Sequence, residues 1–139
     1  TAFDASSALC DLASQHSRQP IVCSTFLEFE TKDSFDAIWA CASLLHVPYN
    51  ELTQVFIHLS QYLKKEGIFY CSFKYGKNEV ERDGRQFSNL TQQSLEQILK
   101  DTQLDILETW QTKDLRDGRG DEIWLNAILI KHHENLPKE

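Results

Sequence analysis

Short apolar runs alternate along this chain with segments whose apolar residues recur at helical spacing. The run GIFYCSF, residues 67–73, is apolar at almost every position, so both of its faces must be buried. Helix-like segments precede and follow this run, and that order of elements is typical of a sheet whose strands are mainly parallel. The sequence therefore predicts an α/β fold.

The other elements can be placed from the same two periodicities. The closing strands follow one another without a helix, which predicts a C-terminal antiparallel hairpin with IWLNAILI beside GIFYCSF. Residues 74–89 and 111–122 are polar and are predicted to be loops. The predicted helices begin at caps provided by Ser6 or Ser7, Asn50 and Thr91. The predicted strands are TAFD, IVCS, DAIWACA, GIFYCSF, DILETW and IWLNAILI, and the predicted helices are SSALCDLASQHS, NELTQVFIHLSQYLKK and LTQQSLEQILKDT.

The charge of the chain restricts its partners. The formal net charge is −7, whereas nucleic acids and anionic membranes require a basic face, so neither is expected as a partner. No apolar segment is long enough to span a bilayer. With 139 residues, 41% of them hydrophobic, the chain has enough material for one packed domain over residues 1–139.

The four cysteines are scattered and form no C-x-x-C pair, so we expect neither a metal site nor a disulfide. Cys23, Cys41 and Cys71 lie in strand-like runs and are interpreted as reduced, buried, small apolar residues. Reduced thiols, together with the lack of a recognisable signal peptide, favour a cytoplasmic protein.

Several segments, taken in order, resemble a known family. The chain is similar to class I S-adenosylmethionine-dependent methyltransferases of the small bacterial type, related to the tellurite-resistance methyltransferases. The resemblance implies a Rossmann-like sheet and methyl transfer from S-adenosylmethionine to a small molecule. The segments that carry it are AFDAS, FDAIWACASLLHVP, LKKEGIFYCSFKYG, GRQF, WQTKD and LRDGRGDEIWLNAIL.

The resemblance also implies a first strand and a glycine-rich turn before the segments present here. In the family that turn holds the methionine part of the cofactor, but all five glycines of this chain lie at or after Gly67. The chain opens on TAFD and contains no methionine, so we expect an N-terminally truncated domain. Without the first strand, two strand edges would lack partners. We therefore expect weak or no cofactor binding, and self-association into a homo-oligomer.

In the family the cofactor contacts lie at strand ends. Asp4, followed by Ala5, is expected to accept hydrogen bonds from the ribose hydroxyls. Alternatively, it is an acid stabilised by the dipole of the helix that follows. Ser24, Thr25 and Phe26 follow the next strand, and Ser24 stands where the family usually has an acid. Phe26 either packs on the adenine or belongs to the core.

The segment FDAIWACASLLHVP ends in small residues. If Cys41 and Ala42 pass beneath the cofactor, their size lets the backbone approach it, so both are expected in the cofactor site. His46 would then face the reaction side, where it could orient a substrate or remove a proton. The alternative is a loop histidine bonded to the backbone.

Basic and aromatic residues surround the two predicted loops that follow GIFYCSF and DILETW. They either hold an anionic small-molecule substrate or are solvated loop charges. These residues are Lys74, Tyr75, Arg85, Arg116, Arg119 and Trp124.

The sequence leaves two alternatives to methyl transfer. One is a shortened, non-catalytic remnant that folds by homodimerisation and acts as a binding or assembly module. The other is a nicotinamide-dependent oxidoreductase, which also uses an acid after a strand. The chain lacks the G-x-G-x-x-G motif of such enzymes, and the closing hairpin is not expected of them.

Overall fold

The structure is a computed structural model that describes residues 1–82, 84–118 and 121–132. The sequence predicted a single domain, and the internal contacts of the chain group its residues into two compact units. The first unit is Thr1–Asp33 and the second is Ser34–Glu139.

The first unit contains two short parallel strands joined by a helix. Strand β1 (Phe3–Asp4) pairs with β2 (Val22–Cys23), and α1 (Ser7–Ser17) connects them. Ser6 caps the helix, because its hydroxyl oxygen accepts a hydrogen bond of 3.3 Å from the backbone N–H of Leu9. This confirms one of the two caps predicted for α1 and satisfies one of the free N–H groups of its first turn.

The apolar stripe of α1 remains largely open. Leu9 and Leu12 are 53% and 61% exposed, whereas Cys10 is buried. The two leucines line a groove of about 440 Å³, together with Phe3 and Ile21 among other residues of the same unit. The helical spacing of these leucines was therefore a correct sign of a helix, but it did not lead to a buried face within this unit.

The second unit is built on a four-stranded sheet with the order β3-β4-β8-β7. Strand β3 is parallel to β4, and β8 is antiparallel to both of its neighbours, so three strands run in one direction and β8 runs in the other. The predicted C-terminal hairpin is confirmed, with β8 inserted between β4 and β7. The elements are β3 (Phe35–Ala40), a 3₁₀ helix (Leu44–His46), α2 (Tyr49–Ser60), β4 (Leu63–Lys74), β5 (Glu79–Arg82), β6 (Arg85–Ser88), α3 (Gln92–Leu99), β7 (Leu104–Lys113) and β8 (Ile123–Lys131).

The core of this unit lies on one face of the sheet. The rings of Phe56 in α2 and Phe69 in β4 are fully buried, with centroids 5.5 Å apart. Thr53 of α2 donates a hydrogen bond of 2.9 Å to the carbonyl of Ile98 in α3, which links the two helices. Each large side chain buried here stabilises the fold by about 2 kcal/mol. The other side chains of this core are Leu52, Val55, Leu59, Leu95, Leu99, Cys71, Phe73, Leu125, Ala127 and Leu129.

The opposite face of the sheet is aromatic and partly open. Trp39 of β3 stacks on Tyr70 of β4 with ring centroids 4.1 Å apart, yet Trp39 is 74% exposed. The hydroxyl of Tyr70 donates a hydrogen bond of 2.6 Å to Asn126 of β8. Strand β3 has β4 as its only ladder partner among the described residues, so its apolar sequence lies at an edge of this sheet.

The boundaries of α2 differ from the prediction. Its cap is Pro48 rather than Asn50, since the backbone N–H of Glu51 donates a hydrogen bond of 2.9 Å to the carbonyl of Pro48. The helix ends at Ser60, so the lysines predicted for its last turn, Lys64 and Lys65, belong to β4 instead.

The early start of β4 has a physical reason in strand pairing. Leu63 pairs with Phe35 of β3, and the Phe35 backbone N–H donates a hydrogen bond of 2.7 Å to the carbonyl of Tyr62. Gly67 lies within β4 and packs against Leu63. A Cβ atom at Gly67 would lie 2.7 Å from the Leu63 side chain, so this close approach requires glycine.

The segment predicted as a loop at residues 74–89 contains the antiparallel hairpin of β5 and β6. In the sequence, the dipeptide Asp83-Gly84 is a strong hairpin signal, which the loop prediction overlooked. Gly84 has a φ of +74°, which glycine adopts without strain. The hairpin matters because it forms one wall of the cavity described below.

The prediction for the start of α3 is confirmed in detail. Thr91 caps the helix: its hydroxyl oxygen accepts a hydrogen bond of 3.1 Å from the backbone N–H of Ser94. In return, the Ser94 hydroxyl oxygen accepts one of 2.8 Å from the backbone N–H of Thr91. This reciprocal pair fixes the position at which the helix begins.

The four cysteines are free, and of the three that were predicted to be buried only Cys71 is. Cys10 and Cys71 are buried, and burial raises the pKa of the Cys71 thiol well above its usual range. Cys23 and Cys41 are exposed, so their interpretation as buried apolar residues was wrong. Cys23 lies in the small β1–β2 sheet, and Cys41 directly follows the carboxyl end of β3.

Candidate functional site

Asp4 lies at the carboxyl end of β1, where the sequence placed it. Its Oδ1 atom accepts a hydrogen bond of 2.8 Å from the backbone N–H of Ser6, just before α1. This is the contact expected of an acid at a helix N-terminus. The described residues donate no hydrogen bond to Oδ2, and the side chain is exposed, so one oxygen remains available to a ligand. The ribose role of Asp4 and its neighbour Ala5 therefore stays a prediction.

The residues after β2 form a short turn within the first unit. The hydroxyl of Ser24 donates a hydrogen bond of 2.8 Å to the carbonyl of Thr25, and the hydroxyl of Thr25 donates one of 2.7 Å to Glu28. The Phe26 ring meets the Phe3 ring edge-on with centroids 5.8 Å apart. Phe26 thus has a packing partner in this unit and is half-buried, which suits the core alternative and leaves the adenine role a prediction.

The small residues after β3 are exposed and have a defined backbone. Ala42 has a φ of +50°, a left-handed conformation that is strained for a residue with a Cβ atom by about 1 kcal/mol. The turn is held by the backbone N–H of Ala42, which donates a hydrogen bond of 2.8 Å to the hydroxyl oxygen of buried Ser72 on β4. Cys41 and Ala42 thereby present little side-chain bulk at the carboxyl end of β3, as expected of backbone that a ligand approaches.

His46 lies in the 3₁₀ helix that follows this turn and contacts strand β6. Its Nδ1 atom is 3.2 Å from the carbonyl oxygen of Gln86, and its ring is tilted on that of Phe87 with centroids 4.9 Å apart. Because a carbonyl can only accept, Nδ1 carries the hydrogen, and in the neutral ring Nε2 has the lone pair. The backbone bond matches the alternative interpretation of His46, and its catalytic role stays a prediction.

A network of charges lies at the carboxyl end of β4. The ammonium of Lys74 donates hydrogen bonds to Asp114 at 2.8 Å and to Glu122 at 2.9 Å, and it lies 4.3 Å from the ring centre of Trp124. Arg116 donates to both oxygens of Asp114, at 3.0 Å and 2.6 Å. The two cations of the network are thus matched by two carboxylates.

The electrostatics of the network centre on Asp114. Its pKa is held far below the usual range, first by the hydrogen bonds from the Arg116 side chain and then by that from Lys74. In turn, Asp114 raises the pKa of the Arg116 guanidinium. Asp114 also accepts a hydrogen bond of 3.2 Å from the indole N–H of Trp124. The network therefore fastens the segment after β7 to the end of β4.

A cavity of about 330 Å³ lies beside this network, between the β5–β6 hairpin and the start of β8. Lys74 and Tyr75, both predicted for the substrate side, line it. Arg85 lies exposed on β6, and its side chain makes no hydrogen bond or ion pair with the described residues. Arg119 lies outside the described residues. The cavity is lined by Lys74, Tyr75, Val80, Phe87, Asn89, Asp121, Glu122 and Ile123.

The structure brings Lys74, Arg116 and Trp124 together, as the sequence predicted. Their role in holding an anion stays a prediction, and the geometry does not favour it because Asp114 and Glu122 already pair with both cations. Sequence reasoning overlooked both of these acids. The charged segment 111–122 contained the signal, since a loop with carboxylates on either side of its arginines can pair internally.

The described residues contain neither a candidate metal site nor a candidate membrane-spanning helix. No group of three or more His, Cys, Asp and Glu side chains in residues 1–82, 84–118 and 121–132 is arranged to hold a metal ion. Within the same residues, no helix is long and apolar enough to cross a membrane.

Comparison with known families identifies the class of protein. A family model described as a methyltransferase domain matches residues 1–71, just over half of the 139 residues. The chain belongs to this family of methyltransferase domains. No curated protein matches the chain by sequence.

Solved structures have the same fold. The chain superposes on S-adenosylmethionine-dependent methyltransferases from Methanosarcina mazei, with a TM-score of 0.78 and 16% identity, and from Clostridium acetobutylicum, with 0.72 and 18%. It covers 81% and 74% of those chains, and 95% of its own length in both comparisons. At this identity the likeness establishes the fold, which is the Rossmann-like α/β fold of class I methyltransferases.

A third structure has its ligands bound. It is the 1,6-didemethyltoxoflavin N1-methyltransferase from Burkholderia thailandensis, in complex with 1,6-didemethyltoxoflavin and S-adenosylhomocysteine. The TM-score is 0.73 at 14% identity, over 91% of this chain and 57% of that one. This neighbour binds a small-molecule substrate and a cofactor product on the same fold.

Proposed function

We propose that this chain takes part in S-adenosylmethionine-dependent methyl transfer to a small molecule. When bound, S-adenosylmethionine supplies a methyl group on a positively charged sulfonium, and the protein positions the reactants and excludes water. The observation that carries the proposal is the family match over residues 1–71. That segment contains the strand ends at which the cofactor contacts are expected.

The described residues suit the adenosine part of the cofactor. In the first unit, Asp4 keeps one exposed carboxylate oxygen for the ribose, with Ala5 beside it, and Ser24, Thr25 and Phe26 are assigned to the adenine. In the second unit, Cys41 and Ala42 offer exposed backbone with small side chains. No residue is assigned to the methionine part, because the first glycine of the chain, Gly67, lies within β4.

His46 is assigned to the methyl acceptor. Its Nδ1–H donates to the carbonyl of Gln86, which leaves Nε2 free to orient the acceptor or to take its proton. The ring is half-buried and fixed against Phe87, so its orientation is set before any substrate arrives.

The cofactor assignment can be tested by calorimetric titration with S-adenosylhomocysteine. We expect Asp4→Asn to weaken binding about tenfold, because the amide offers the ribose hydroxyls a poorer acceptor. Asp11→Asn changes an exposed acid within α1 and is the matched control, which should bind like the unchanged protein. If the unchanged chain gives no binding heat, or if both variants bind equally well, the assignment is wrong.

A second candidate function is assembly without catalysis, as a homodimer. It is favoured by the outer edge of β3, which has no ladder partner among the described residues, and by the 74% exposure of Trp39 on that strand. Unpaired edges recruit further strands unless they are covered. Light scattering tests this alternative: a dimer that binds no S-adenosylhomocysteine supports it, and a monomer that binds tightly excludes it.

We also propose a cytoplasmic setting and no nucleic-acid partner. Four free cysteines suit a reducing compartment, and a net charge of −7 disfavours a polyanion. Retention on a phosphocellulose or heparin column at physiological salt would contradict the second part.

A further inference from the structure

We infer that the cavity between the β5–β6 hairpin and the start of β8 binds a small organic cation: an apolar body that bears an ammonium group. The inference rests on the proposed function, for which it names the chemical class of the methyl acceptor. The argument depends on the size of the cavity, on its free polar groups and on the balance of its charges.

The cavity has the size and walls of a small-molecule site. Its volume of about 330 Å³ is within the range of roughly 300–1,000 Å³ typical of ligand pockets. Val80 and Phe87 of the hairpin and Ile123 at the start of β8 supply apolar walls. The walls are fastened by backbone hydrogen bonds, since the N–H of Tyr75 donates to the carbonyl of Ile123 at 2.8 Å. The apolar walls suit the body of an amphipathic ligand.

Polar groups in the cavity remain uncommitted. The side chains of Asn89 and Asp121 make no hydrogen bond with the described residues, although both line the cavity. Gly76 packs on Asn89, where a Cβ atom at Gly76 would lie 3.0 Å from that of Asn89, so the position of the amide is restricted. A fixed amide and a free carboxylate among apolar walls can orient a ligand and give specificity.

The charges select the sign of the ligand. Lys74 is the cation that lines the cavity, but Asp114 and Glu122 bond its ammonium at 2.8 Å and 2.9 Å. Among the described residues, Asp121 therefore has no cationic partner. An anion would be repelled by Asp121 and would have to displace a carboxylate from Lys74, whereas a cation meets neither obstacle.

Aromatic rings add to the preference for a cation. Tyr75 and Phe87 line the same cavity as Asp121. The faces of aromatic rings attract ammonium groups, and proteins that recognise organic cations combine such rings with a carboxylate. Tyr75, Phe87 and Asp121 supply that combination.

Amide chemical-shift titrations of the full chain test the inference with three probes of similar shape: phenethylamine, phenethyl alcohol and 3-phenylpropionate. We expect phenethylamine to shift the signals of residues 75, 80, 87 and 123 and to bind about tenfold more tightly than 3-phenylpropionate. Asp121→Asn should weaken phenethylamine binding about fivefold and leave phenethyl alcohol binding unchanged. Phe87→Leu, which keeps the cavity apolar, should weaken the amine more than the alcohol.

Asp117→Asn is the matched control, because Asp117 is an exposed acid of the same loop that does not line the cavity. Equal affinity for the amine and the acid, or an unchanged amine affinity in Asp121→Asn, would overturn the inference. S-adenosylhomocysteine titrated into the same samples separates the two proposals. Cofactor binding without amine binding removes only this inference; amine binding without cofactor binding keeps the cation site and removes its role in methyl transfer.

Discussion

Two buried lysines at opposite ends of the four-stranded sheet show how differently the protein satisfies the same charge. Lys131 and Lys74 are 6% and 8% exposed. At the amino end of β4, Lys131 donates hydrogen bonds of 2.7 Å to the backbone carbonyls of Ser60 and Leu63. At the carboxyl end, Lys74 pairs with ionised side chains of the segment after β7.

The difference separates a structural end of the sheet from a chemical one. Carbonyl partners are backbone dipoles fixed by the end of α2 and the start of β4, and they remain when side chains change. Carboxylate partners can be altered by substitution or by protonation. The carboxyl end also has the cavity that Asp121 lines, and ligands bind at this end of the strands in open α/β sheets.

The largest effect is expected for Asp114→Asn, because Lys74, Arg116 and Trp124 all donate to this carboxylate. The folded-state pKa of Asp114 is lowered, so its contribution to stability is complete above its unfolded pKa of about 3.9 and is lost as the pH falls toward the folded value. Urea unfolding should therefore show a large difference between the variant and the unchanged protein near neutral pH, which shrinks below about pH 4. A difference that is constant with pH would contradict this account.

Lys74→Met should lower the free energy of unfolding by about 3 kcal/mol, because it leaves the buried Asp114 and the half-buried Glu122 without their ammonium partner. The matched variant is Lys64→Met, since the Lys64–Asp36 pair at 3.2 Å lies on the surface. The double variant of Lys74 and Asp114 should be less destabilised than the sum of the single variants, as interacting partners are not additive. Additive effects would mean that the pair is not coupled.

Lys131→Met should lower the free energy of unfolding by about 2 kcal/mol, because two carbonyls lose a charged donor. The part of this loss that comes from the two carbonyl hydrogen bonds should be independent of pH between about 4 and 8, since carbonyls do not titrate in that range. A loss that follows the acid dependence of Asp114 would show that the two ends of the sheet do not differ as described.

The smallest effect, below about 0.5 kcal/mol, is expected for Lys64→Met. The side chain of Lys64 is 54% exposed and that of its partner Asp36 is 90% exposed, so solvent screens the attraction. The denaturant midpoints of this variant and of the unchanged protein should coincide within error, at low salt and at high salt. A larger loss would place part of the stability at the surface of β4 rather than at its buried lysines.

Local signals carried the sequence prediction well. Ser6 and Thr91 were identified as caps because capping depends on residues within one turn of a helix. The order of the elements, with the family resemblance, also predicted that β8 lies beside β4. Local signals were misleading at the end of α2, where pairing between Phe35 and Leu63 converts a lysine-rich helix end into strand.

The contacts of the two buried lysines were harder to predict, because their partners are distant in sequence. Asp114 and Glu122 lie 40 and 48 positions after Lys74, and no local pattern pairs them with it. Lys131 finds its carbonyls 71 and 68 positions earlier. The residues assigned to the cofactor followed from the resemblance and still await a binding measurement.

The position of β8 constrains the time at which this sheet can form. Strand β8, which is synthesised after β7, lies between β4 and β7, and among the described residues β7 has no ladder partner other than β8. During translation β7 therefore emerges without a sheet to join, and it remains unpaired until residues 123–131 follow it out of the ribosome. A chain interrupted before Ile123 would expose one edge of β4 and the whole of β7, which makes such fragments candidates for rapid degradation or aggregation.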